Sequence, residues 1–151
     1  CTVFLAMDTY VELYHGGIIP LNEFINMKPD RDIIVRIIIK KKAGQFAYLS
    51  VRNQSTDFAV IACAASCMEG KYRLSVGARP SKALLLLDEE GILSDRLTES
   101  SIKTFSVFAE NKISTGSNVR AGAEYRKRLI GVLSQRLFKK IMEVDNHGKG
   151  N

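Results

Sequence analysis

The stretch that most restricts the fold is Tyr48–Pro80, YLSVRNQSTDFAVIACAASCMEGKYRLSVGARP. Two strand-like runs, Phe58 to Met68 and Lys71 to Gly77, are joined by Met68-Glu69-Gly70-Lys71, a connection so short that the strands must pair as a hairpin. The segment ahead of them has the opposite character. Arg52 to Asp57 sets a guanidinium, two amides, two hydroxyls and a carboxylate directly before a strand bound for the core. The hairpin therefore reads as scaffold and the polar lead-in as the first place to look for a ligand, although a polar loop is often only a connection.

A chain of 151 residues with 46% apolar and 25% charged residues has the composition of an ordinary globular domain, which argues against disorder. At this length a core forms without disulfides or metal, and with no Trp it must be built from Leu, Ile, Val, Phe and Tyr. The net charge of +6 admits an acidic partner without choosing among nucleic acid, an anionic cofactor and an acidic protein surface. Three cysteines, Cys1, Cys63 and Cys67, are an odd set without disulfide-framework spacing, and no long apolar run suggests a membrane segment. A reducing, cytoplasmic setting is expected.

Taken in order, Thr2 to Met7 and Tyr10 to Tyr14 read as short strands, His15-Gly16-Gly17 as a turn, and Leu21 to Phe24 as one helical turn after Pro20. The opening lacks a cap and a start methionine, so residues 1–27 are expected to be the last strands of a preceding domain, with Lys28-Pro29-Asp30 as the boundary. Asp32 to Lys40 holds five isoleucines and a valine and is the strongest strand in the chain. Strict alternation would put Ile33, Val35, Ile37 and Ile39 on one face and Ile34, Arg36, Ile38 and Lys40 on the other. A basic turn, Lys40 to Gly44, leads to a further strand at Phe46 to Val51. After Pro80 the pattern predicts a helix over Lys82 to Leu87 capped by Ser81, a second over Glu99 to Asn111 capped by Thr98, and a long last helix over Ala121 to Val144. Its apolar stripe is Tyr125, Leu129, Val132, Leu133, Leu137, Ile141 and Val144, and a polar tail, 145–151, follows. Strands first and helices last give an α+β fold, with a mostly antiparallel sheet covered by about three helices and residues 28–144 as the domain.

Phosphate-loop, dinucleotide and zinc-protease motifs are absent. His15 falls in a turn and His147 in the tail, where solvent exposure is the favoured reading over catalysis or metal binding. Cys63 and Cys67 share a strand face with Ala65, which favours buried packing over metal ligation. Arg120, Arg126, Lys127 and Arg128 near Ser117-Asn118 could hold a phosphate, but basic residues on a long helix more often form its solvated face.

The segments Tyr48–Pro80 and Arg120-Ala121-Gly122-Ala123-Glu124-Tyr125-Arg126, together with Ile19-Pro20-Leu21-Asn22-Glu23-Phe24 and Asp32-Ile33-Ile34-Val35, resemble the C-terminal domain of the FAD-binding subunit of molybdenum hydroxylases, the xanthine dehydrogenase and carbon monoxide dehydrogenase group. The arginine-to-arginine run opening the last helix is its most specific part. The resemblance implies a carbon monoxide dehydrogenase flavoprotein C-terminal fold and a place in a relay that passes electrons from iron–sulfur clusters through FAD to an acceptor such as NAD. It implies iron–sulfur and molybdenum-binding partner subunits, and Ile34, Ser50, Thr56 and Asp57 on the flavin side. It leaves this chain with no catalytic residue of its own. The glycine-rich pyrophosphate loops of that group lie in an N-terminal domain, so weak FAD binding by this segment alone is expected. Two places depart from the pattern. Leu49 and Ser50 stand where many members carry a lysine after the aromatic, and Asn118-Val119 replaces an acidic residue before Arg120.

Two other readings stay open at this stage. One is a basic module using Lys40 to Lys42 and the last helix against nucleic acid or an acidic protein, which the dispersed charges and the lack of a stacking platform make less favoured. The other is a flavin-free domain for subunit docking.

Overall fold

The computed structural model describes residues 1–28, 31–93 and 97–148, the side chains of 145–148 excepted. In chain order the elements are α1 (Thr2–Ala6), β1 (Tyr10–Leu13), β2 (Gly17–Pro20), α2 (Leu21–Phe24), β3 (Ile34–Ile38), β4 (Gly44–Val51), β5 (Ile61–Met68), β6 (Lys71–Gly77), β7 (Leu84–Leu87), α3 (Glu99–Lys112) and α4 (Ala123–Gly148). They form two antiparallel sheets, β2-β1-β3 and β4-β5-β6-β7, and the fold is α+β.

The hairpin expected from sequence is the centre of the larger sheet. Met68 pairs with Lys71, and the two turn residues, Glu69 at φ 52° and Gly70 at φ 74°, both take the left-handed conformation that a tight two-residue turn requires. β5 is buried on both faces, which its run of Ala, Cys and Ser permits. Ile61, Cys63 and Ala65 face a core built with Phe105, Ile130, Leu137 and Phe138 of α3 and α4. On the opposite face the Ser66 hydroxyl donates to the Ala6 carbonyl at 2.6 Å, which ties α1 to the sheet. Cys63 packs in that core as expected, and burial pushes its thiol up to about 12.

Two sequence expectations are corrected by this layering. Thr2–Met7 is not a strand: Thr2–Ala6 is α1, laid on β5, β6 and β7, where Leu5 and Ala6 are buried. A side chain at Gly77 would collide with Thr2, so the close approach depends on that glycine. Lys82–Leu87 is not a helix either. Leu84–Leu87 pairs with β6, placing Leu84 and Leu86 against the α3/α4 core and Leu85 against a second core of Leu5, Val11, Leu13 and Leu21. A four-leucine strand buried on both sides carries no period-two signal, so periodicity cannot separate it from a buried helix. The helical cover is accordingly α3 and α4 on one face with the short α1 on the other, rather than three helices on one side.

Helix α3 begins as expected, and α4 begins at Ala123, two residues after the expected Ala121. Thr98 caps α3 through a capping box with Ser101, whose amide donates to the Thr98 hydroxyl at 3.1 Å. α4 runs beyond Val144 to Gly148, so the backbone of 145–148 is helical rather than part of a tail, while 149–151 lie outside the described residues. Its buried stripe is Arg126, Ile130, Leu133, Ser134, Leu137, Phe138 and Ile141, with Tyr125, Val132 and Val144 exposed.

β3 pairs with β1 across the expected 28–30 boundary, of which Pro29 and Asp30 lie outside the described residues. A bulge breaks its alternation. Glu12 opposes Arg36, with which it forms an ion pair, but the next residue, Leu13, opposes Ile34. Ile34 therefore shares a face with Ile37 rather than with Arg36. Despite its composition β3 is an exposed edge strand, with Ile33, Ile34, Val35, Ile37 and Ile39 between 46% and 68% accessible.

The α1–β1 turn is fastened to the larger sheet by Asp8, itself at φ 55°, which pairs with Arg73 at 2.8 Å and Lys42 at 3.4 Å. Partial burial pushes the Asp8 pKa up, but the hydrogen bond and charge of Arg73, followed by those of Lys42, more than offset it, so the carboxyl titrates below its ordinary 3.8. A depressed carboxylate pKa contributes stability that is complete above the unfolded value and disappears as pH falls through the folded one. Asp8→Asn, which tolerates the same backbone, should cost about 1–2 kcal/mol in urea unfolding at pH 7, and the gap between the two proteins should close as pH is lowered below 3.8.

Candidate functional site

The polar lead-in becomes a loop at the end of β4. Its neck is closed by the Val60 amide donating to the Val51 carbonyl at 2.7 Å, and a tight turn forms inside it as the Asp57 amide donates to the Gln54 carbonyl at 3.1 Å. Arg52, the guanidinium offered for a ligand, is instead occupied by the loop itself, donating to the Asp57 carbonyl at 2.7 Å. Thr56 is left exposed at the tip and Asp57 half-buried beside it.

This loop is locked to the one preceding α4 by Arg126. The Arg126 side chain is fully buried. Its Nε donates to the Val60 carbonyl at 2.8 Å, its Nη1 to the Gly116 and Ala121 carbonyls at 2.6 Å each, and its Nη2 to Asn118 Oδ1 at 2.6 Å. Burial, then the like charge of Arg120, lowers its pKa. Arg120 adds a second tie, its guanidinium standing 5.3 Å from the Phe58 ring centroid.

This arrangement corrects the reading of Arg126 as part of a solvated or phosphate-holding face. The neighbouring groups are committed as well, since Ser117 Oγ accepts from the Ala123 amide at 2.9 Å and Asn118 Oδ1 also accepts from the Arg120 amide at 3.0 Å. No phosphate cradle is assembled among these described residues. Of the basic turn, Lys42 pairs with Asp8 and Glu69, and Lys40 lies 4.0 Å over the Tyr10 ring. His15 is exposed in the β1–β2 turn, and the His147 side chain lies outside the described residues. The phase of α4 was the available signal for Arg126, because it lies four residues before Ile130 on the buried stripe.

Of the four residues expected beside a flavin, Ser50, Thr56 and Asp57 come together at one end of the larger sheet, while Ile34 is on the other sheet. Pairing places Phe46, Tyr48 and Ser50 on the face of β4 that they share with Ser66, Ala64 and Ala62 of β5. That face is incompletely covered by α1. Phe46 and Tyr48 are 46% and 44% exposed, and they border a shallow apolar depression of about 130 Å³ with Val3, Met7 and Ala64. Exposed aromatic rings beside alanines, with a hydroxyl at the end of the strand, offer a flat group one wall of contact and no enclosure.

Neither a family model nor a curated protein matches the sequence. Solved structures do match the fold. A chain of quinoline 2-oxidoreductase from Pseudomonas putida 86 superposes with a TM-score of 0.78 at 17% identity, covering 94% of this chain and 55% of that one. A chain of carbon monoxide dehydrogenase from Hydrogenophaga pseudoflava superposes with a TM-score of 0.80 at 17% identity, covering 93% and 54%. A third, from carbon monoxide dehydrogenase of Oligotropha carboxidovorans, gives 0.78 at 18% identity over 94% and 55%. The fold is the carbon monoxide dehydrogenase flavoprotein C-terminal fold. The chain spans about 55% of the length of these relatives in fold.

Arg126→Met roughly keeps the volume but strips the buried Val60 carbonyl and the part-buried Gly116 carbonyl of a donor, and should destabilise the protein by about 2–4 kcal/mol in denaturant unfolding. Asn118→Asp should act in the other direction. It places a carboxylate against the buried guanidinium and is expected to raise stability by about 1 kcal/mol at pH 7, with no gain in the Arg126→Met background.

Proposed function

We propose that this chain is the C-terminal part of the FAD-binding subunit of a xanthine-dehydrogenase-like molybdenum hydroxylase, where it covers one side of the flavin. The observation carrying the reading is the fold likeness over 93–94% of this chain to redox-enzyme chains of which it spans only 54–55%. In this reading residues 1–27 are the exit from the FAD-binding half and 28–144 the covering domain. FAD, when bound, supplies the redox chemistry, taking up electrons and passing them to an acceptor such as NAD.

The chain's own residues then bind and shape. Ser50 and Thr56 offer hydroxyls and Asp57 a carboxylate at one end of the larger sheet, and Ile34 offers apolar contact from β3. The loop carrying Thr56 and Asp57 is held in place by the Arg126 hydrogen bond to Val60, which keeps these groups positioned before any ligand arrives. None of them is asked to move a proton or form a bond. The β3 segment supports the same reading, because Ile33, Ile34, Val35, Ile37 and Ile39, left open to water on and beside this edge strand, fit a surface that another part of an assembly covers. Iron–sulfur and molybdenum-binding subunits would be the partners, in a reducing compartment where Cys1, Cys63 and Cys67 stay out of disulfides.

Because no phosphate cradle accompanies this wall, FAD should bind the isolated chain with a Kd weaker than about 1 μM. Amide shifts followed by NMR during an FAD titration should concentrate at Ile34, Ser50, Thr56 and Asp57. Submicromolar affinity, or shifts that avoid all four residues, would overturn the reading.

A further inference from the structure

A cavity of about 490 Å³ opens between β1, α2 and the turn leading into β7. Leu13, Phe24, Ile25, Met27 and Ala83 form its apolar lining beside Cys1, and the exposed residues Lys28 and Lys82 also line it. Its size lies within the range of small-molecule sites, which are mainly apolar with a few polar groups that fix orientation.

The lining carries two lysines against one carboxylate, a net positive charge. Lys28 and Lys82 have no ion-pair partner among the described residues. The one carboxylate in the lining, Asp32, already accepts from the amides of His15 at 3.0 Å, Gly16 at 2.8 Å and Ile33 at 2.8 Å. It serves to hold the β1–β2 turn against the start of β3. Two ammonium groups are thus left to act on whatever enters an apolar cleft, and a charge-assisted contact to an anion beside an apolar wall favours a ligand that carries both characters.

We infer that this cavity is a binding site for a small amphipathic anion, a molecule with an aromatic or branched apolar body and one carboxylate, phosphate or sulfonate group. The body fills the space between Phe24, Ile25 and Ala83, and the anionic group is held by Lys28 and Lys82. The site is separate from Ser50, Thr56 and Asp57 and does not depend on flavin binding.

The test uses 8-anilinonaphthalene-1-sulfonate as the probe, with its uncharged relative N-phenyl-1-naphthylamine as comparison. Fluorescence titration of the intact chain should show one saturable sulfonate site, weakened by added salt. Lys28→Glu with Lys82→Glu should weaken it at least tenfold, and Ala83→Phe should remove it by filling the cavity. Val35→Ser with Ile37→Ser, on the exposed β3 edge, should leave it unchanged. Equal affinity for the two probes, an unaltered Kd in the lysine double variant, or loss of binding in the β3 variant would each overturn the assignment. The lysines are exposed, so their variant keeps the test decisive even where Ala83→Phe disturbs folding.

Discussion

A fully buried guanidinium with no carboxylate partner among the described residues is the constraint on which the loop-bearing end of the larger sheet depends. Arg126 is held by three backbone carbonyls and one side-chain amide oxygen. A buried cation in that setting is tolerated because every guanidinium nitrogen donates to an oxygen. Removing the cation exposes the converse problem, since the buried Val60 carbonyl loses its guanidinium partner. Arg126 is therefore less a surface charge than a fastener between the two loops. This matters for a site built from a loop, because groups such as Thr56 and Asp57 are useful to a ligand only to the extent that their backbone is already fixed.

The second constraint is that the larger sheet is buried on both sides. Helices α3 and α4 close one face, and the short α1, with β1 and α2 behind it, closes part of the other. The small residues of β5 follow from this, since Ala62, Ala64 and Ser66 let a helix lie close on a strand already packed on its opposite face. So does the Asp8 cluster, because the turn out of α1 needs an anchor and α1 alone is too short to be stable. Coverage stops before β4, and the Phe46, Tyr48 and Ser50 row is what remains open.

Much of the architecture was legible in the sequence, and the failures share a physical cause. The β5–β6 hairpin, the Thr98 cap and the start of the last helix are written locally, in a two-residue turn, a hydroxyl three residues before its amide, and a long periodic stripe. Thr2–Met7 and Leu84–Leu87 carry no such local signal. The first is helical only because the sheet surface gives it a place to lie, and the second is a strand only because β6 pairs with it. The candidate site was legible in part. Thr56 and Asp57 were placed at a fixed loop as expected, but Arg52 and Arg126, which look like ligand donors in one dimension, are spent on carbonyls that are distant in sequence or hidden inside the same loop. A charge's partner is a tertiary fact, and sequence shows only that a partner must exist.

The strongest strand in the chain is also its least buried, and the energetics of that mismatch bear on what covers it. Half-exposed aliphatic side chains leave on the order of 1 kcal/mol each unrealised, so the five large residues of the β3 segment hold roughly 5 kcal/mol in reserve. Association of two separate molecules costs about 4–15 kcal/mol in lost freedom, and this reserve would at best break even against it. A cover tethered to the same polypeptide avoids most of that cost, because its effective concentration is already high. The same reserve that at best breaks even against the recruitment of a free partner is thus large enough to seat a cover belonging to the same polypeptide.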